Sequence, residues 1–313
     1  MWIKSVLLSI LTIVVIVLVA LLIMVGIANS GVGARELTDE DVLCDWMARL
    51  DDEASLNELY IPGTHDSGAL YSFFGISGKC QSYGIDDQLS FGVRLFDIRL
   101  QLRGSDLAVV HAFVDQKLTF ESVLEEIKSF LEANPSEFII ISIKEDAEPE
   151  NPALEFENAV EDMLLEKLGS LLNTDTQLPK TVGEARGKVH IISRYSNSSM
   201  GVPANAGWHD SASFELGELF VQDYYAVSGI EAKMASISVA FSRAYVPQYA
   251  LVLNFTSCYL EDGFPPAHAP TAAKLINPQL SQLIADGKAA PCAFLIDFIT
   301  PELSRSIVEL NFR

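Results

Sequence analysis

The 313 residues carry 21 Lys and Arg against 42 Asp and Glu, a formal net charge of -21, and 49% of them are hydrophobic. So acidic a chain lacks the basic footprint that a nucleic-acid partner needs and gains nothing electrostatically from an anionic lipid surface. Its length suits one large core or an eight-stranded α/β barrel behind a hydrophobic leader, and no repeat, low-complexity tract or Ser/Gly linker marks an internal boundary.

The leader comes first. From Ser5 to Asn29 there is no charge, Lys4 stands in front, and Val6 to Ile27 is almost wholly Leu, Ile and Val. At about 1.5 Å per residue, some twenty residues cover the roughly 30 Å of a bilayer's hydrocarbon core. A secretory signal has a shorter apolar region of about 7 to 15 residues, yet Ala28-Asn29-Ser30 offers small residues where cleavage could occur. The length favours an uncleaved anchor, and a removed signal is the alternative. Residues 1–30 are assigned to this segment and 31–313 to one globular unit, expected outside the cytoplasm because Lys4 precedes the segment and the acidic ELTDED follows it. Cys44, Cys80, Cys258 and Cys292 fit an exported protein with none, one or two disulfides, and no CxxC or His/Cys cluster in the sequence points to zinc.

Strand-like runs rich in β-branched and aromatic residues follow: LYIPG, VRLFDIRL, LAVVHA, EFIIISIK, KVHIISR, LFVQDYY, YALVLNF and CAFLIDFI. Between them lie helical patterns. TFESVLEEIKSFLEANP has Thr119 as N-cap, Phe120, Val123, Leu124, Ile127 and Leu131 at helical spacing, and Pro135 as a stop. NPALEFENAVEDMLLEKLGSLL repeats the pattern from Asn151-Pro152. Continuous apolar strands alternating with amphipathic helices imply a mostly parallel sheet covered by helices, and eight strand candidates are enough for a closed barrel.

Charge recurs where these strands stop. IPGTHDSGA places His65 and Asp66 in a glycine-flanked turn, where Thr64, Asp66 and Ser67 could equally do no more than bond their own backbone. In FGVRLFDIRLQL, Asp97 and Arg99 are spaced to point to one side of a strand. LAVVHAF presents His111, and EFIIISIKED presents Lys144 and Glu145. A single charged residue at a strand end is commonly just solvated; two histidines, an Arg and a Lys at successive strand ends describe a site.

In their order along the chain, IPGTHDS, GVRLFDIR, VVHAF and ISIKE resemble the catalytic X domain of phosphatidylinositol-specific phospholipase C, in its bacterial, metal-independent branch. HIISRY, VQDYY and FLIDF match further positions, so the resemblance spans about residues 45 to 310. It implies a distorted (β/α)8 TIM barrel and a lyase that cleaves phosphatidylinositol to diacylglycerol and a cyclic inositol phosphate. It further implies His65 as base toward the inositol 2-hydroxyl with Asp297 bonding its other ring nitrogen, His111 as acid oriented by Asp97, Asp66 as an aid to proton delivery, and Arg99 as the phosphate ligand. Lys144, Arg194 and Asp223 would bind inositol hydroxyls, with Tyr225 against the ring's apolar face. The calcium-dependent branch carries acidic ligands where this chain has Arg99 and Lys144, so no metal or other cofactor is expected.

Two other functions stay open: another phosphodiesterase on the same barrel, of the glycerophosphodiester type, and a non-catalytic inositol-lipid-binding module. The first should need a cluster of metal-binding carboxylates, and the second should have lost one of the two histidines. The expected partners are an inositol phospholipid and a membrane reached through the leader, with the chain itself a monomer. Phe73-Phe74, Trp208 and FPPAHAP around Phe264 are apolar candidates for the rim of the site, and His190, His209 and His268, which match no motif, are read as core or surface histidines.

Overall fold

The computed structural model describes residues 2–29, 33–72, 78–150, 155–261 and 268–313. In chain order the strands are β1 (Tyr60–Thr64), β2 (Leu95–Arg103), β3 (Asp106–His111), β4 (Val114–Thr119), β5 (Ile139–Glu145), β6 (Val189–Arg194) and β7 (Val202–Pro203). They continue as β8 (Ala212–Leu216), β9 (Leu219–Asp223), β10 (Ala226–Val227), β11 (Leu251–Phe255), β12 (Tyr259–Leu260) and β13 (Cys292–Ile296). The helices are α1 (Trp2–Asn29), α2 (Ile85–Ser90), α3 (Phe120–Ala133), α4 (Phe156–Leu168), α5 (Val182–Ala185), α6 (Ile230–Phe241), α7 (Ala269–Ala285) and α8 (Pro301–Val308).

Eight strands pair in parallel in the order β7-β6-β5-β2-β1-β13-β11-β9, with β8 antiparallel on the far side of β9. Among the described residues no ladder joins β7 to β8, so this is the distorted barrel expected, open at one seam. One of the eight expected barrel strands is placed differently. LAVVHA is β3, which runs antiparallel to β2 (Leu100↔Val109) and to β4, off the barrel wall. Only Gly104, at φ +58°, and Ser105 separate β2 from β3; a parallel crossover needs a dozen residues or more, whereas a hairpin needs two. The remaining parallel strand is the two-residue β7, too short to carry a propensity signal.

The period-two alternation of the strands sorts their side chains into two cores. On the outward face Phe96, Ile98 and Leu100 of β2, Ile139, Ile141 and Ile143 of β5, and Val189 and Ile191 of β6 pack under the helices. α3 supplies the covering face as expected: Thr119 Oγ1 accepts from Ser122 N, and Phe120, Val123, Leu124, Ile127 and Leu131 are buried. α4 starts at Phe156; the expected start at Asn151-Pro152 lies outside the described residues. On the inward face Ile61, Leu95, Ile140, Ile192, Val221, Leu253, Ala293 and Leu295 fill the barrel.

That inner apolar plug ends abruptly toward the strand C-termini. The register Leu95↔Ile140, Asp97↔Ser142 and Arg99↔Lys144 continues on β6 as Ser142↔Ile192 and Lys144↔Arg194. Three cations therefore stand in one layer on three adjacent strands, above a closed hydrophobic floor. At the opposite end Arg94, the other arginine of VRLFDIR, is a structural residue. Its side chain and that of Glu137 are 0% exposed and 2.8 Å apart, and its remaining N–H groups donate to Leu89, Val93, Leu43 and Cys44 carbonyls.

α1 is the one helix among the described residues long and apolar enough to cross a membrane: Lys4–Met24 has a mean hydropathy of 3.5 and is not buried against the rest of the chain. All four cysteines are free thiols.

Candidate active site

A cleft of about 560 Å³ opens at the C-terminal end of the barrel, lined by His65, Arg99, His111, Lys144, Arg194, Asp223, Tyr225 and Asp297. The loops after three strands turn sharply there. Asp66, Ala112 and Phe298, each directly following one of these residues, adopt φ of +45°, +50° and +50°. Non-glycine residues in that region cost about 1–3 kcal/mol each and persist where surrounding structure holds them.

Two histidine–carboxylate pairs face each other across Arg99. His65 Nδ1 lies 2.7 Å from Asp297 Oδ1, and His65 Nε2 lies 2.6 Å from Arg99 Nη2. Arginine offers only donors, so the second contact makes Nε2 the unprotonated nitrogen and Nδ1 the donor to Asp297. Burial works against a charged ring, but the Asp297 carboxylate outweighs it and raises the His65 pKa above its ordinary value, while Arg99 pulls it down again. On the other side His111 Nδ1 stands 3.1 Å from Asp66 Oδ2, and Asp66 Oδ2 stands 3.6 Å from Arg99 Nε. Burial pushes the Asp66 carboxyl up despite His111 and Arg99, favouring the protonated form.

Asp97 holds the cations rather than either histidine. Its Oδ2 accepts from Arg99 Nε at 3.2 Å and from Asp66 N at 3.1 Å, and its Oδ1 accepts from Arg194 Nη1 at 3.1 Å. Burial would raise its pKa, but Arg99 and Arg194 hold it at about 2. Asp66, not Asp97, is the carboxylate facing His111; Asp97 points along its own strand toward Arg99, two residues on.

No motif in the sequence marks Asp146, although its spacing two residues after Lys144 puts both on one side. Its Oδ1 accepts from Lys144 Nζ at 2.6 Å and lies 3.7 Å from Arg99 Nη1, and its Oδ2 accepts from Ala112 N at 2.7 Å, tying the His111 loop to β5. Burial opposes its charge, but Arg99 and Lys144 hold its pKa well below the usual range.

The opposite wall carries Arg194, Trp208, Asp223 and Tyr225. The Arg194 guanidinium stacks 3.6 Å over the Trp208 ring, whose Nε1 donates to Asp223 Oδ2 at 3.0 Å. Trp208, one of the apolar candidates for the rim, thus packs into the cleft wall with two partners; Phe73-Phe74 and Phe264 lie outside the described residues. The Tyr225 hydroxyl donates to Asp210 Oδ1, a bond that, with burial, pushes its pKa up to about 12. His209 and His268 are exposed, as surface histidines are expected to be, and line the cleft, while His190 is a core residue whose Nε2 lies 3.1 Å from the Ala185 carbonyl. The structure also gathers what the sequence kept apart: Cys80 lies within metal-ligand reach of His65 and Asp297, and of Asp66 and His111. No linear motif announces that cluster.

Residues 54–195 match the model of the phosphatidylinositol-specific phospholipase C X domain. The 1-phosphatidylinositol phosphodiesterase of Staphylococcus aureus (strain Newman) is 27% identical over 275 residues, 81% of this chain and 88% of its own length. That of Listeria monocytogenes serovar 1/2a is 23% identical over 276 residues, 85% of this chain and 84% of its own. A solved structure of the phosphatidylinositol-specific phospholipase C from Staphylococcus aureus superposes with a TM-score of 0.76 at 26% identity, over 85% of this chain and 96% of that one. The Listeria monocytogenes enzyme shares the fold, with a TM-score of 0.70 at 21% identity over 86% and 98% of the two chains. The matched X-domain stretch contains His65, His111 and the whole layer of three cations, so the similarity of this chain to the phosphatidylinositol-specific phospholipase C X domain falls on the residues that build the site.

Proposed function

We propose that this chain cleaves phosphatidylinositol, or a related inositol phospholipid, to diacylglycerol and inositol 1,2-cyclic phosphate by two-histidine acid/base catalysis. The observation that carries this reading is the placement of Arg99 between His65–Asp297 and His111–Asp66. His65 Nε2, held unprotonated, takes the proton of the inositol 2-hydroxyl, whose oxygen attacks phosphorus. The new P–O bond forms as the bond to the diacylglycerol oxygen breaks, and that oxygen takes a proton from His111, backed by the Asp66 carboxyl. Arg99 leaves His65 for the phosphate oxygens, its planar fork suiting two at once. The ring nitrogen that Arg99 releases is then free to hold the proton, with Asp297 stabilising the imidazolium. Return of that proton through the solvent resets both rings.

Lys144, Arg194 and Asp223 are proposed to bind inositol hydroxyls and Tyr225 to cover the ring, with Asp146 setting the Lys144 ammonium and Trp208 the Arg194 guanidinium. Residues 31–313 form the catalytic unit in this reading. The layer of Arg99, Lys144 and Arg194 supplies fixed positive charge at the phosphate, so the reaction is proposed to need no metal. In excess EDTA, the protein with phosphatidylinositol micelles is expected to form cyclic inositol phosphate, followed by phosphorus NMR, at an undiminished rate. Activity lost in EDTA and restored by calcium would overturn the metal-independent reading. Absence of product under either condition, from folded protein, would point to another phosphodiester or to binding alone.

The leader is proposed to hold this acidic unit at a membrane, outside the cytoplasm, because the net charge of -21 gives it no electrostatic affinity for anionic lipid. Residues 31–313 alone should then lose activity on vesicles while keeping it on a soluble inositol phosphodiester. Equal losses on both substrates would remove this role.

A further inference from the structure

Cys80 has no part in the proposed reaction, yet its thiol stands between the two histidine–carboxylate pairs. It is 1% exposed, and its Sγ lies 3.5 Å from His111 Nδ1. Backbone on both sides fixes it there: Cys80 N donates to the Ala69 carbonyl at 2.8 Å, and the Cys80 carbonyl accepts from Phe298 N at 2.7 Å.

The Asp66 carboxylate faces the same point. It is 0% exposed, neither of its oxygens accepts a hydrogen bond, and Oδ2 lies 3.1 Å from His111 Nδ1. A buried carboxyl with no hydrogen-bond partner is an expensive arrangement, eased by a proton in the metal-free protein and by a cation bound in that proton's place. The ligand atoms of Asp66, Cys80 and His111 all lie within 4.8 Å of one another. Carboxylate oxygen, thiolate sulfur and imidazole nitrogen suit a borderline-soft ion, whose bonds of about 2.0–2.3 Å place neighbouring ligand atoms roughly 3.3–3.7 Å apart.

We propose that Asp66, Cys80 and His111 form a binding site for Zn²⁺ or an ion of its class, open to the cleft on the partly exposed His111 side, and that its occupation inhibits the enzyme. Binding replaces every proton held on the three ligand atoms, that of the Cys80 thiol, the one that burial favours on Asp66 and any on His111 Nδ1, and releases them to water, with no change in oxidation state. The metal separates His111 from Asp66 and so disables proton delivery. The other triad within reach, His65, Cys80 and Asp297, is already committed: His65 Nδ1 and Asp297 Oδ1 bond each other at 2.7 Å, and Arg99 occupies His65 Nε2. Arg99, 3.6 Å from Asp66, opposes a cation, but its charge is shared with Asp97 and Asp146, each within 4 Å of it. The inhibition rests on the function proposed above, whereas metal binding does not.

The full-length chain in detergent is to be titrated with Co²⁺, a spectroscopic stand-in for Zn²⁺, and then with Zn²⁺ itself. A thiolate-to-cobalt charge-transfer band in the near ultraviolet is expected, displaced by Zn²⁺, lost in Cys80→Ser and in His111→Ala, and retained in His65→Ala. Half-inhibition of cyclic inositol phosphate release by Zn²⁺ should need about tenfold more metal or above in Cys80→Ser, whose metal-free activity should equal wild type. If Cys80→Ser does not fold, a variant with Cys44, Cys258 and Cys292 all changed to Ser leaves Cys80 as the one thiol and must keep the band. Absence of the band in wild type, its persistence in His111→Ala, or its loss in His65→Ala overturns the site. A band without any phosphatidylinositol cleavage would sustain the metal site and sink the functional reading alone.

Discussion

Changing His65 to Ala is expected to lower kcat for phosphatidylinositol cleavage by about 10²–10⁴-fold with little change in KM, because it removes a base that acts in the transition state. The pH profile separates this role from a structural one. His65 must be neutral to accept the inositol proton, so activity is lost as pH falls through its pKa. Burial alone would lower that pKa, but Asp297 outweighs it, so the acid limb of kcat/KM should lie above the ordinary histidine value of about 6.5. In Asp297→Asn the raising carboxylate is gone while burial and Arg99 remain, and the limb should move to lower pH as kcat falls. An acid limb that stays in place in Asp297→Asn would show that another group titrates. A His65→Ala enzyme with wild-type kcat would dismiss the base altogether.

Glu137→Ala is expected to cost about 3–5 kcal/mol of folding stability, read as a fall in the urea midpoint at constant slope. The carboxylate is wholly buried; it receives Arg94 Nε at 2.8 Å and Met47 N at 3.0 Å. Truncation leaves the Arg94 charge sealed in the barrel's lower end with its carbonyl partners but no counter-charge. The pair closes that end of the barrel far from the cleft, so protein that remains folded should keep its kcat. Arg94→Met combined with Glu137→Met should recover much of the loss, since removing both ends of a buried pair costs less than orphaning one. A loss below about 1 kcal/mol for Glu137→Ala would mean that water reaches Arg94, contrary to its burial.

Arg94 and Arg99 show how far local sequence reaches. Both sit in one strand-like run, five residues apart, and alternation separates them in space: Arg99 shares the inward face with Leu95 and Asp97, whereas Arg94 lies before β2 begins. Alternation was legible, so the pairing of Asp97 with Arg99 could be anticipated. Which charge bonds which histidine could not, because it depends on how the chain turns after β1, where Asp66 takes a φ of +45°, a conformation that Asp tolerates but does not dictate. Lys233 is a sharper case. In sequence it is one polar residue of a helix, yet it is 0% exposed, its Nζ donates to the Tyr224 carbonyl at 2.8 Å, and burial pushes its pKa down to about 8.

The amino-acid sequence by itself determined the alternating α/β plan, the apolar leader, the face of α3 and the positions at which charge interrupts apolar strands. Each of these follows from a periodicity of 2 or 3.6 or from a run length, quantities that a linear string contains. The tertiary structure alone decided that β3 leaves the barrel as a hairpin while the two-residue β7 completes it. It also decided that Arg99, Lys144 and Arg194 share a layer, that Asp66 rather than Asp97 backs His111, and that Cys80 meets Asp66 and His111. Those facts depend on inter-strand register and on the direction of three strained loops, and register is a relation between segments up to a hundred residues apart that no single segment encodes.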